Sequence, residues 1–157
     1  MSPIAHALSA SLIAVTFAQV SPGETPYLAV ALISATAVDL DHVVYLIRDR
    51  ALYRRIGYTG QLHRARSPLH ELAGLLLVGA LCALVFAFDP KLAQVIFIAF
   101  AVHLTQDWVL GKSHPLTPFD NTRIEFFALT VRQKILIDVI VVLLSGALWT
   151  IYLAVRL

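Results

Sequence analysis

Five long apolar runs, separated by short polar stretches, constrain this chain more than any other feature of its sequence. They are Ile4–Val20, Tyr27–Ile47, Leu69–Phe88, Leu92–Leu110 and Ile135–Val155. Each approaches the length a helix needs to cross the hydrocarbon core of a bilayer, about 20 residues with about 17 as the lower limit. All seven prolines (Pro3, Pro22, Pro26, Pro68, Pro90, Pro115 and Pro118) lie outside the runs, where they start or interrupt helices without removing interior hydrogen bonds. The chain is 59% hydrophobic and 14% charged, whereas soluble domains are roughly half apolar and about a quarter charged. The expected fold is therefore all-α: a single transmembrane domain over residues 1–157, built as an integral membrane bundle of about five transmembrane helices.

Charge gives the bundle a direction. The stretch Arg48–Pro68 carries Arg48, Arg50, Arg54, Arg55, Arg64 and Arg66, and Gly111–Lys134 carries Lys112, Arg123, Arg132 and Lys134. Together they hold ten of the twelve Lys and Arg residues. Five spans put both stretches on one side and leave Ser21–Pro26 and the Asp89-Pro90-Lys91 hairpin on the other. Basic loops stay cytoplasmic, so the expected location is the inner (cytoplasmic) membrane with a cytoplasmic N-terminus. Residues 1–47 contain no Lys or Arg, unlike a secretory signal, so the first run is expected to be retained and His6 with it. That run is short, and Ser9, Ala10, Ala14 and Ala18 suit close packing inside a bundle. The lone Cys82 lies in an apolar run and reads as a small buried hydrophobe.

The orientation, derived from arginine and lysine alone, gathers the histidines at the cytoplasmic face. His6 lies near the inner end of the first run. Asp39, Asp41 and His42 approach the inner end of the second. His63 falls in the first basic stretch, and His70 opens the third run behind Pro68. His103 and Asp107 approach the inner end of the fourth. His103 and Asp107 are four apart, so on a helix they share a face and can hold one metal ion. Ionisable groups within apolar runs are rare and face a partner or a wet cavity, so a helix–helix hydrogen bond or a proton relay competes with the metal reading. In Asp39-Leu40-Asp41-His42, a regular helix aligns Asp39 with His42 and points Asp41 away. Either the helix loosens there, or two metals are served, or one carboxylate orients a histidine; a solvated helix end is the bland alternative.

Other residues carry weaker signals. His70-Glu71 lacks the second histidine of a His-Glu-x-x-His protease site, because Leu72-Ala73-Gly74 follow. Arg64 and Arg66, beside His63, are candidates to hold a phosphate or phospholipid head group, and setting topology and attracting anionic lipid explain them equally well. His114, in Ser113-His114-Pro115, reads as a loop residue. Asp138 either faces the site or is an interfacial charge.

Val38-Asp39-Leu40-Asp41-His42, the downstream His63-Arg64, His70 at a helix start, and His103-Leu104-Thr105-Gln106-Asp107 running toward Gly111 and Pro115 or Pro118 resemble the YdjM-type (LexA-binding) inner-membrane metal-dependent hydrolases. His6 matches the early histidine of that family, and the motifs keep their order from residue 6 to about residue 118. Val38 stands where the family usually has proline, and Glu71 follows His70 where serine is common. The spacing from His63 to His70 is longer than the family pattern, which weakens the match at His63. The resemblance implies hydrolase chemistry with a metal, and for one member an association with LexA.

The expected function is a membrane-embedded, metal-dependent hydrolase acting on a phosphoester of a lipid or other amphiphile at the cytoplasmic leaflet. Its expected cofactor is one or two divalent ions, zinc first and manganese second, held by His6, Asp39, Asp41, His42, His70, His103 and Asp107. Asp39 and Glu71 are the candidate bases, and His63, Arg64 and Arg66 the candidate substrate-binding residues. Expected partners are membrane lipid, a phospholipid or prenyl-phosphate substrate and a cytoplasmic protein, with no direct nucleic-acid binding. The rival readings are a non-catalytic, metal-stabilised membrane protein and a metal or proton transport element; few polar residues in the outer halves of the runs argue against a conduit. Reporter fusions at Tyr58 and Asp89 are expected to lie on opposite sides of the membrane; both on one side would overturn the topology.

Overall fold

A computed structural model of the chain describes residues 2–40, 47, 50, 67–117, 119–120 and 122–155. These residues form five α-helices: α1 (Pro3–Phe17), α2 (Thr25–Thr36), α3 (Leu72–Phe86), α4 (Pro90–Leu110) and α5 (Val131–Val155). Single 3-10 turns occupy Ala37–Asp39 and Pro68–His70. Among the described residues there is no strand, and one antiparallel bridge pairs Ser113 with Ile124.

Helix starts follow local chemistry. Ser2 accepts from the Ala5 N–H, and Pro3 occupies the first turn of α1, where its missing N–H costs nothing. Asp89 does the same for α4: its Oδ1 accepts from the Leu92 N–H at 2.9 Å, with Pro90 following. Two helices, α4 and α5, are long and apolar enough to cross a membrane. The other three are shorter than the apolar runs they overlap. At about 1.5 Å per residue, the 15 residues of α1 and of α3 span about 22 Å, less than the hydrocarbon core of about 30 Å.

The second run is where the sequence pattern and the backbone part most clearly. A continuous helix over Tyr27–Ile47 is not what forms: α2 stops at Thr36, whose φ is −126°, and a 3-10 turn carries the chain to Asp39. The helix loosens at the Asp39 motif, one of the alternatives the sequence left open. The third run also starts differently from the expectation that His70 lies in the first turn of its helix. His70 ends a separate turn, Glu71 is extended (φ −122°, ψ −172°), and α3 begins at Leu72. Tertiary bonds explain the break. The Leu72 N–H donates to Pro115 O at 3.3 Å, and Trp108 Nε1–H donates to His70 O at 3.2 Å.

Helix α4 is central and packs against α1, α2 and α3, while α5 packs chiefly on α1. Ala10, Ala14, Ala35 and Ala99 are wholly buried where α1, α2 and α4 meet. Ser9 of α1 and Ala18 at its C-terminal cap are buried as well, as the small-residue pattern of the first run predicts. A larger cluster of Leu12, Val15, Val20, Ala31, Val95 and Tyr152 fills the end away from the histidines. The Trp149 Nε1–H donates to Leu8 O at 2.9 Å and the Tyr152 hydroxyl donates to Val20 O, fixing α5 to α1. Much of the remaining α5 surface is bare: Ile135, Leu136, Val139, Ile140, Leu143, Leu144, Leu148 and Ile151 are all exposed.

The end of the bundle away from the histidines is tied by polar groups. Lys91 pairs with Glu24 at 2.9 Å, and the Tyr27 hydroxyl donates to Asp89 at 2.9 Å, joining the α1–α2 and α3–α4 connections. The Ser21 N–H and then the Lys91 ammonium hold Glu24 below the usual carboxylate range. The Leu92 N–H and then the Tyr27 hydroxyl do the same for Asp89. Both shifts are downward, so their contribution to folding is present above the ordinary carboxylate pKa and is lost as pH falls through the lowered folded value.

One glycine is required by packing. A Cβ on Gly74 would lie 2.0 Å from the Leu69 carbonyl oxygen and 2.6 Å from its carbon, so α3 can approach the turn that carries His70 only without a side chain there. A Cβ on Gly79 would meet nothing nearer than Phe97 at 3.6 Å. Gly74→Ala is expected to cost about 1–3 kcal/mol through overpacking. Gly79→Ala should be neutral or slightly stabilising, because alanine favours a helix interior by about 0.5–1 kcal/mol. Thermal unfolding of the two variants in detergent checks the contrast; equal midpoints would refute it.

Candidate metal centre

Four separate elements deliver five ionisable side chains to one place. The first turn and a half of α1 supplies His6, the turn after α2 supplies Asp39, the turn before α3 supplies His70, and α4 supplies His103 and Asp107. His6, His70, His103 and Asp107 are each at most 4% exposed, and the Asp39 side chain is 15% exposed. Burial on this scale is costly for charge unless it is compensated nearby.

The ligand-type atoms face one another. His6 Nε2 lies 3.2 Å from Asp107 Oδ1. Asp39 Oδ1 lies 3.5 Å from both His70 Nε2 and His103 Nε2. Asp107 Oδ2 lies 4.0 Å from His70 Nε2 and 3.9 Å from His103 Nε2. The rings of His6 and His103 stack with centroids 4.0 Å apart. Two overlapping sets result, His6/His103/Asp107 and Asp39/His70/His103, each with its ligand atoms within 4.8 Å of one another. At bond lengths of about 2.0–2.1 Å and the tetrahedral angle, two ligands of one zinc ion stand about 3.3 Å apart. The observed separations, 3.2–4.0 Å, bracket that spacing and are mostly too long for good hydrogen bonds.

The protonation pattern of His103 follows from its partner. Its Nδ1 lies 2.6 Å from the carbonyl oxygen of Ala35. That carbonyl is in the last turn of α2, where helix geometry leaves carbonyls without intrahelical partners. A carbonyl only accepts, so Nδ1 carries a proton, and in the neutral ring Nε2 holds a lone pair. Nε2 is buried without a hydrogen-bond partner among the described residues. It therefore turns a lone pair toward two carboxylate oxygens, a repulsive arrangement that a cation between them would reverse. The residues present fit a divalent metal.

The YdjM inner membrane protein family model matches residues 1–157, the whole chain. The chain belongs to that family. No curated protein and no solved structure matches it at a significant level. Membership makes this YdjM-family chain an inner membrane protein, in keeping with the two helices long and apolar enough to cross a bilayer.

The remaining candidates fall into two groups. Asp41, His42, His63, Arg64 and Arg66 lie outside the described residues. Glu71 is described and is buried, but belongs to neither ligand set; its Oε1 accepts from the His114 N–H at 2.9 Å and so holds the following loop against the His70 turn. Asp138 accepts from the Ser2 N–H at 2.7 Å at the start of α1.

Sequence reasoning passed over four contributors. Gln106 Oε1 lies 2.9 Å from His6 Nδ1, its Nε2 lies 2.8 Å from Ser9 Oγ, Trp108 grips the His70 carbonyl, and Ala35 engages His103 through its backbone. Gln106 gave a signal, being an uncharged polar residue in an apolar run beside Asp107. The Ala35 carbonyl gave none, since alanine carries no chemistry of its own.

Proposed function

We propose that this YdjM-family protein is a membrane-embedded, metal-dependent hydrolase that acts on a phosphoester of a lipid or other amphiphile at the cytoplasmic leaflet. The proposal includes five membrane-crossing segments, a cytoplasmic N-terminus and a divalent ion, zinc or manganese, at the histidine–aspartate cluster. The observation that carries it is the buried Nε2 of His103, which has no hydrogen-bond partner among the described residues and faces Asp39 and Asp107 at 3.5 and 3.9 Å while Nδ1 is committed to the Ala35 carbonyl. Two carboxylates and three histidines enclosed by helices make a site for a cation rather than for an anion or an apolar ligand.

His6, His70, His103, Asp39 and Asp107 would hold the ion, with Asp41 and His42 two and three residues after Asp39 in the chain. His103 offers a single lone pair, so the two overlapping sets cannot each hold an ion through it. A divalent ion bound there supplies positive charge against a phosphoryl group and favours ionisation of water. The protein's own part is to exclude bulk water, align the ligand rings and take a proton. For that last role Asp39 is the better placed of the two candidate bases, because its carboxylate lies against the ligand atoms, 3.5 Å from the Nε2 atoms of His70 and His103. Glu71 belongs to neither ligand set and has one oxygen committed to the His114 N–H. His63, Arg64 and Arg66 belong to the basic stretch that would meet an anionic head group.

Purified protein is expected to hold close to one zinc or manganese ion per chain by elemental analysis, and His103→Ala close to none with its helix content unchanged. Phospholipids, prenyl phosphates and nucleotides should then be screened for metal-dependent release of phosphate or head group. Protein that stays metal-free after careful purification and zinc titration would sink the proposal. A tightly held ion with no release from any substrate would instead make the metal structural and the basic stretches a docking site for a cytoplasmic protein.

A further inference from the structure

His6 is the one ligand supplied by α1, and its ring nitrogens are not equivalent. Nε2 faces Asp107 Oδ1 at 3.2 Å, while Nδ1 faces Gln106 Oε1 at 2.9 Å. We infer that Gln106 is a positioning residue that holds His6 in the tautomer whose Nε2 lone pair faces the centre, and that Ser9 holds Gln106 in turn. The inference rests on reading the cluster as a metal centre.

The direction of each bond can be followed from one end. Ser9 Oγ lies 2.6 Å from the Ala5 carbonyl oxygen. Two oxygens approach this closely only with a proton between them, and a carbonyl has none, so the serine hydroxyl donates. Its single proton is then spent, and toward Gln106 it can only accept. The side-chain atom of Gln106 that lies 2.8 Å from Ser9 Oγ is therefore the amide nitrogen. Chemistry thus fixes the amide orientation, which geometry alone rarely does. The amide oxygen is left pointing at His6 Nδ1, and an amide oxygen only accepts. His6 Nδ1 must donate, and in the neutral ring Nε2 carries the lone pair.

The reversed amide would put its NH2 group against Nδ1 and move the ring proton to Nε2, where it would bond to Asp107 and block a metal. That arrangement requires Ser9 to turn its proton to Gln106, leaving Ser9 Oγ and Ala5 O 2.6 Å apart with no proton between them. The backbone of α1 opposes the reversal, because Ala5 and Ser9 are one helical turn apart. His103 reaches the same tautomer by a different route, through the Ala35 carbonyl. Two of the three histidines are thus set to present Nε2, one by a backbone group and one by a side chain. Partners of this kind are worth about 10–100-fold in metal affinity.

The full-length chain in detergent tests this with Gln106→Leu, Gln106→Glu and Ser9→Ala, each first checked for helix content. Nitrogen-15 NMR of the metal-free protein is expected to show His6 protonated at Nδ1 in the wild type and protonated at Nε2, or mixed, in Gln106→Leu. Zinc affinity, measured by chelator competition, should fall about 10–100-fold in Gln106→Leu. It should recover to within a few-fold of wild type in Gln106→Glu, which keeps an accepting oxygen. Ser9→Ala keeps a good helix former in α1 and frees the amide to turn; it should give mixed tautomers and several-fold weaker zinc binding, and it decides the matter where Gln106→Leu does not fold. A wild-type His6 protonated at Nε2 would overturn the inference, as would equal losses of affinity in the Leu and Glu variants. A wild type that shows Nδ1–H but binds no zinc would sink the metal reading and leave the positioning role standing.

Discussion

The distance between α1, α2 and α4 is set by alanine, and the polar cluster depends on that distance. Ala10, Ala14, Ala35 and Ala99 meet with no exposed surface, and side chains this small let helix backbones approach closely. Close approach is what brings the Ala35 carbonyl within 2.6 Å of His103 and the amide of Gln106 within reach of both Ser9 and His6. A leucine anywhere in that seam would push the helices apart. The ligand atoms would then lose the 3–4 Å spacing that makes a common centre possible. In a bilayer the lipid chains are as apolar as leucine, so packing and hydrogen bonds, rather than exclusion of water, hold the helices together.

Charge compensation is handled in opposite ways at the two ends of the bundle. At the end with Glu24, Asp89 and Lys91, each charged group has a cation, hydroxyl or backbone N–H against it, so the bonds close among themselves. At the other end, two carboxylates and three histidines crowd together with Nε2 atoms turned inward, and no Lys or Arg is paired with them among the described residues. The first arrangement is complete as it stands and serves the fold. The second lacks that closure among the described residues, which is why its residues support a functional proposal and those of the first do not.

The sequence made the membrane class legible because lipid imposes strict rules on backbone and charge. Run length, prolines at the ends and the clustering of arginines needed no tertiary information. His6, His70, His103, Asp107 and Asp39 could be nominated for the same reason: ionisable groups in apolar runs are expensive and must have partners. Helix ends were read less well. The second run looks continuous through Ile47, yet α2 ends at Thr36, because the competing bonds come from distant residues such as His103 that no local pattern records. The His70 turn separates from α3 for a similar reason, with Trp108 and Pro115 supplying the bonds from well down the chain. Partners that act through backbone oxygen leave no trace in sequence, and a neutral amide such as Gln106 leaves a fainter one than a charge.

The breaks in the helices and the site are products of the same bonds. Irregular backbone at membrane depth is tolerated only where it is enclosed by protein or lines a wet cavity. The turn at Ala37–Asp39 and the extended Glu71 are enclosed in this way, with Val38, His70 and Glu71 all buried. Each break frees backbone groups, and side chains near the centre take them up: His103 engages Ala35 O and Trp108 engages His70 O. An unbroken second helix would retain its carbonyls for itself, and His103 would lose the acceptor that fixes its tautomer. An unbroken third helix would carry His70 away on a regular spiral and remove the close contact that Gly74 permits. The break that ends α2 at Thr36 and the one that delays α3 to Leu72 therefore go with placing Asp39 and His70 between helices rather than along one, whereas α4, which carries His103 and Asp107 on a single face, remains long and regular.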